Sequence, residues 1–127
     1  MVKALSVASV DQVKRFLREV KRLIKDDNGD FEVADRDETQ ETLTKLGIMP
    51  ERVEEEVLEL TIENYSKGPE ENKSRNGKNN SKIWVFGKMV CDIEIYIKFS
   101  LTQTKKFTKC ICVSFHEARY PLQYPLR

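Results

Sequence analysis

A chain of 127 residues with 39% hydrophobic side chains is long enough for a single domain, 1–127, with its own apolar core, and 34% charged residues mark a strongly solvated surface. The net charge of +1 hides a division: residues 1–36 carry 8 basic and 7 acidic groups, residues 37–64 carry 2 and 9, and residues 65–127 carry 12 and 5. No apolar run reaches the roughly 20 residues of a membrane-spanning helix and no secretion-signal pattern opens the chain, so a cytoplasmic protein without membrane contact is expected.

The first element starts at Ser9, where Ser9 and Gln12 make an S-x-x-Q capping box ahead of Val13, Phe16, Leu17, Val20, Leu23 and Ile24 at helical spacing. Lys14, Arg15, Arg18, Lys21, Arg22 and Lys25 fall on the opposite side. Such a basic back is either a solvated surface, with Glu19 pairing locally, or a phosphate-contacting one. The run Asp26-Asp27-Asn28-Gly29-Asp30 is a turn, and Phe31 and Val33 alternate as in a short strand. Asp37 and Gln40 predict a second capping box for a short helix that Gly47 ends in a left-handed cap. Pro50 suits the first position of a third helix that buries Val53, Val57 and Leu58 and turns Glu51, Glu54, Glu55, Glu56 and Glu59 to water.

From Ser66 to Ser81 apolar side chains almost vanish, which predicts a flexible polar loop over 66–81. The period then changes to two, with strands expected at 82–90, 92–101 and 107–116. In the middle strand Ile93, Ile95, Ile97, Phe99 and Leu101 share one face, and Asp92, Glu94, Tyr96, Lys98 and Ser100 the other. In the last, Ile111, Val113 and Phe115 oppose Cys110, Cys112, Ser114 and His116. A hairpin centred near Lys105 would set Ser114 across from Tyr96 and His116 across from Glu94, leaving Tyr96 and His116 as diagonal neighbours.

That polar face has the side chains for cleaving an RNA phosphodiester without metal. A ribose 2′-hydroxyl attacks its own phosphorus, which requires a base, an acid for the departing 5′-oxygen and cations for the charge that develops. His116 is the one side chain whose ordinary titration lies near neutrality, and Glu94 would orient it. Tyr96 would donate a hydrogen bond or a proton, or stack on a splayed base. Lys98 supplies compact positive charge, with Lys88 and Arg119 as further phosphate contacts. Trp84 reads as a packing residue. Cys91, Cys110 and Cys112 form no CxxC pair and, with one histidine in the chain, offer no zinc-ligand spacing, so Cys110 and Cys112 read as small hydrophobes and no metal or cofactor is implied.

The stretch IWVFGKMVCDIEIYIKFSL, followed by CICVSFHEARYPLQYP, resembles the C-terminal half of the MqsR-type toxins of bacterial toxin–antitoxin pairs. The resemblance extends through RDETQETLTKLGI and the ENYSKGPEE segment, covering about residues 31–125. It implies an α+β fold of the RelE-like type, a compact antiparallel sheet with the N-terminal helices packed on one face. It also implies an endoribonuclease that cuts messenger RNA, the action of an mRNA interferase, so stopping translation and growth until a cognate antitoxin binds it. Carried onto this sequence, the family's catalytic tyrosine falls on Tyr96 and its late basic position, after VSF, on His116. A family lysine falls on Lys67 in Tyr65-Ser66-Lys67. The family glutamine after Ile-Trp falls on Val85, whose side chain cannot hydrogen-bond, and the lysine of the best-known member is replaced by His116, whose imidazole is the better suited of the two to proton transfer at neutral pH.

The sequence therefore reads as a metal-independent mRNA endoribonuclease with Tyr96, His116 and Lys98 as catalytic residues and Lys67, Lys88, Arg119 and Glu94 at the substrate. The expected partners are messenger RNA, free or ribosome-associated, and the cognate antitoxin. The alternative is a non-catalytic module whose basic sheet binds RNA or the ribosome and whose acidic helix 50–59 binds a protein.

Overall fold

Ser9 caps the first helix as its spacing predicts: its Oγ accepts from the Gln12 N–H at 3.1 Å, and the Gln12 carboxamide oxygen accepts from the Ser9 N–H at 2.8 Å. In the computed structural model, which describes residues 7–72 and 81–127, this helix is α1, Val10–Lys25. Its buried stripe of Val13, Phe16, Leu17, Val20 and Leu23 lies on the sheet. The Phe16 ring stacks on Trp84 at 4.4 Å and on Phe86 at 5.5 Å and meets Phe99 edge-on, so Trp84 is a packing residue. Within the basic back, Lys21 donates to the Leu60 carbonyl and Arg22 pairs with Glu19.

The next helix, α2 (Asp37–Leu46), has Arg36 at its N-cap with no side-chain cap, so the expected Asp37–Gln40 box does not form. Asp37 and Glu38 occupy the first turn instead, where the positive end of the helix favours their charge. Gly47, at φ +68°, ends α2 in the expected left-handed cap. In α3 (Glu51–Leu58) Pro50 is the N-cap, one position earlier than expected. Val53 and Val57 are buried, but Leu58 is only half-buried. Glu56 does not face water. It is 5% exposed, held at 2.6 Å by both Arg52 Nε and Lys88 Nζ.

The sheet has five strands in the order β1-β5-β4-β3-β2. They are β1 Asp30–Val33, β2 Tyr65–Glu71, β3 Ser81–Val90, β4 Ile93–Gln103 and β5 Thr108–Glu117. The fold is α+β with helices against one face, and the sheet is mixed because β1 runs parallel to β5 while the other pairs are antiparallel. The segment expected as one loop over 66–81 begins as the edge strand β2, and residues 73–80 lie outside the described residues. Tyr65 fixes that strand: fully buried, its phenol accepts from the Ala8 N–H and donates to the Gly68 carbonyl. Cys91 and Asp92, both at positive φ, form the β3–β4 hairpin turn, so Asp92 belongs to the turn and not to a strand face. No helix among the described residues is long and apolar enough to cross a membrane.

Register is where sequence and structure part. Thr104 binds the Lys106 and Phe107 N–H groups with its hydroxyl, closing the β4–β5 hairpin so that Gln103 pairs with Thr108. A β-bulge then makes Val113 an extra residue, since Phe99 pairs with Cys112 but Lys98 with Ser114. The bulge resets the alternation. Cys110 and Cys112 therefore join Phe115 in the core, not Ser114 and His116 on the open face, and burial pushes both thiols up, Cys112 to about 12. Beyond the bulge Tyr96 is directly opposite His116, not diagonal to it.

Past the end of β1 the edge of β5 would be left with unpaired N–H groups. Two α2 threonines accept them: Thr39 Oγ1 from Phe115 at 3.2 Å and Thr42 Oγ1 from Glu117 at 3.1 Å. Thr39→Val keeps the shape and orphans the buried Phe115 N–H. A loss of about 1–3 kcal/mol is expected, read as a lower urea midpoint at unchanged m-value.

Candidate active site

Two cross-strand rows cover the sheet face turned away from α1. One runs Lys67, Val85, Lys98, Ser114 and the other Gly87, Tyr96, His116. The chain after β5 folds back over the Gly87 end. The Leu122 N–H donates to Glu94 Oε1 at 3.2 Å and the Tyr124 hydroxyl to Glu94 Oε2 at 2.6 Å. Gly87 permits this approach, since a Cβ there would collide with Leu122 Cδ1 and the Tyr124 hydroxyl. Arg127 closes the segment with its guanidinium 3.9 Å from the centre of the Tyr124 ring.

Between this segment, the start of α2 and the middle of the sheet lies a cleft of about 370 Å³. Arg36, Glu38 and Thr39 enter it from α2, Tyr96 and Lys98 from β4, Ser114 and His116 from β5, and Arg119, Tyr120, Pro121 and Leu122 from the returning segment. The Tyr96 and His116 rings stack with centroids 5.1 Å apart and planes inclined by 20°. His116 Nδ1 is 2.9 Å from the Glu117 carbonyl oxygen, which can only accept, so Nδ1 carries a hydrogen and Nε2 is the nitrogen left for chemistry. Nε2 is 3.4 Å from Glu38 Oε2, while Glu38 Oε1 holds Arg119 Nη2 at 2.9 Å. Burial, helped by the charge of Glu70, holds the Tyr96 phenol above its ordinary value, so it stays protonated at neutral pH. Among the described residues neither Lys98 nor Arg36 has an ion-pair partner. Three fixed cations thus face one carboxylate.

Tyr96, Lys98, His116 and Arg119, expected at the site from sequence, come together in this cleft. Glu94 does not orient His116: the register places His116 opposite Tyr96, and both carboxylate oxygens of Glu94 hold the returning segment. Lys88 is not a phosphate contact here. It lies on the helix-facing side of β3 between Phe86 and Val90 and pairs with Glu56 and Glu59. Lys67 shares the open face but sits two strands from Lys98, about 10 Å, beside the cleft and not in it. Glu38, Arg36 and Tyr120 were not singled out from the sequence. Glu38 carried only a helix-start signal, and the two others carried no periodic one.

The chain matches the family model described as motility quorum-sensing regulator, toxin of MqsA, over residues 13–117. Comparison with curated proteins and with solved structures gives no match. The matched stretch runs from α1 to the end of β5 and includes Tyr96, Lys98 and His116, whereas Arg119–Leu122 follow it. The chain belongs to the MqsR family, toxins of toxin–antitoxin pairs, typically ribonucleases, whose antitoxin partner is MqsA.

Proposed function

We propose that the protein is a metal-independent endoribonuclease that cuts messenger RNA, and so blocks translation and growth. The observation that supports this most is the stacked Tyr96–His116 pair facing a cleft with Lys98, Arg36 and Arg119 around it. In the proposed reaction His116 Nε2 takes the proton of the ribose 2′-hydroxyl. The 2′-oxygen bonds to phosphorus, the bond to the 5′-oxygen breaks, and the Tyr96 hydroxyl gives that oxygen its proton. The products are a 2′,3′-cyclic phosphate and a 5′-hydroxyl, and proton exchange with water resets both side chains. Lys98 and Arg119 neutralise the charge that grows on the phosphorane oxygens.

Glu38 is a positioning residue in this reading. Its carboxylate stabilises the imidazolium that forms on proton transfer. Its exposed pair with Arg119 is of a weakly held kind, readily exchanged for a phosphate. Lys67 lies where it would meet the RNA backbone further along the sheet.

The test is an oligoribonucleotide cut by the parent protein in the presence of a chelator. Cleavage is expected to continue, to leave the cyclic phosphate, and to fail when the scissile nucleotide is 2′-deoxy. Loss of activity with the chelator, or cutting of the deoxy substrate, overturns the mechanism. Product-free RNA binding that weakens with each Lys or Arg removed would point instead to a non-catalytic RNA-binding module.

A further inference from the structure

Tyr120 is 81% exposed, the most solvent-accessible of the large hydrophobic side chains among the described residues. Each of the other tyrosines has a structural occupation: Tyr65 bonds Ala8 and Gly68, Tyr96 stacks on His116, and Tyr124 holds Glu94 beneath Arg127. Tyr120 has no such hydrogen bond or ring contact among the described residues. Yet its backbone is not loose. Two residues on, the Leu122 N–H is bound to Glu94, and two residues before, the Ala118 N–H is bound to the Glu94 carbonyl at 2.9 Å. The backbone that carries the ring is thus held at the rim of the cleft next to Arg119, and the ring projects into solvent.

We propose that Arg119–Leu122 form a nucleobase subsite beside the scissile phosphate, with the Tyr120 ring as stacking platform for the adjoining base and Arg119 on that phosphate. The proposal rests on the ribonuclease reading above and adds where the substrate's neighbouring base is held. An aromatic face beside a cation matches the alternation of base and phosphate along a single strand. Tyr96 is less suited to that role, because one face of its ring is covered by His116 and Leu122 and Tyr124 overlie its neighbour Gly87. The subsite lies past residue 117, where the family match ends, so it is built by residues outside the matched stretch.

The experiment uses the full chain and a cleavable oligoribonucleotide, together with its 2′-deoxy analogue carrying 2-aminopurine on one or the other side of the scissile position. The parent is expected to quench the fluorophore at one flanking position. Tyr120→Ala is expected to abolish the quenching and raise KM about 5- to 150-fold, the loss appearing in KM and not in kcat. Tyr120→Trp is expected to restore both. A parent that cuts RNA while Tyr120→Ala keeps the parental KM and quenching overturns the subsite alone. A parent that neither binds nor cuts the oligonucleotide overturns the ribonuclease reading and the subsite with it.

Discussion

Alanine in place of His116 is expected to slow RNA cleavage by about 10²- to 10⁴-fold, with RNA affinity and thermal stability changed much less. In the proposed mechanism, removing the imidazole would leave the attacking hydroxyl without its proton acceptor, while Lys98 and Arg119 would still hold phosphate. Tyr96→Phe is the sharper partner experiment. It keeps the ring against His116 and removes only the hydroxyl, so a fall of about 10²-fold or more in single-turnover rate isolates proton donation from packing. The double variant is expected to be little slower than the worse single one, because two groups that act in one proton-transfer sequence do not contribute additively. If His116→Ala cut RNA at the parental rate, the assignment of the base would be wrong. Growth arrest on induction, measured in parallel, shows whether the same loss removes toxicity.

Lys88→Met is expected to cost about 2–4 kcal/mol of stability and to leave kcat unchanged. Lys88 lies on the helix side of the sheet, and its loss strands a carboxylate that is 5% exposed with only Arg52 to meet it. Burial by itself would raise the Glu56 carboxyl, but hydrogen bonds from Lys88 and Arg52 outweigh it and hold the group below its ordinary value. Burial likewise opposes the Lys88 ammonium, and its bonds to Glu56 and Glu59 keep it above its ordinary value. The signs then follow. The carboxylate's contribution is complete above the ordinary glutamate range and is lost as pH falls through its lowered folded value. The ammonium's contribution is complete below the ordinary lysine range and is lost as pH rises through its raised folded value. Parent and Lys88→Met should therefore differ most at neutral pH, and the gap should close as Glu56 is protonated. Urea unfolding at pH 7 and pH 3 measures this, and a gap of constant size at both would rule out the ion pair as its source. Unchanged cleavage by folded Lys88→Met would also separate this residue from the phosphate contacts.

The same contrast between local and distant partners runs through the fold. The apolar series from Val13 to Leu23 and the Ser9–Gln12 box announced α1, because the partners of a cap or a helical face lie within a few residues of each other. Alternation placed Tyr96 and Lys98 on one face of β4 for a similar reason. Strand β2 gave no such signal. Its seven residues include a glycine and a proline and bury few side chains, so its place at the sheet edge depends on backbone pairing with β3 and on the Tyr65 anchor.

Local order thus determined which residues β4 turns to the open face, Tyr96 and Lys98 among them, but not which of β5's do, since Cys110 and Cys112 lie in the core. Tertiary structure alone decided who meets whom. The Gln103–Thr108 closure of the hairpin shifts the pairing by one residue from the expected register and the extra residue at Val113 by one more; together they moved His116 from Glu94 to Tyr96, freed Glu94 to hold the returning chain, and left Glu38, from a helix far earlier in sequence, as the carboxylate at Nε2. Each shift is a single position, and the bulge breaks the alternation of β5 so that Cys110 and Cys112 share the core with Phe115. The energy that selects it is spread over pairs distant in the chain, and no local period records it.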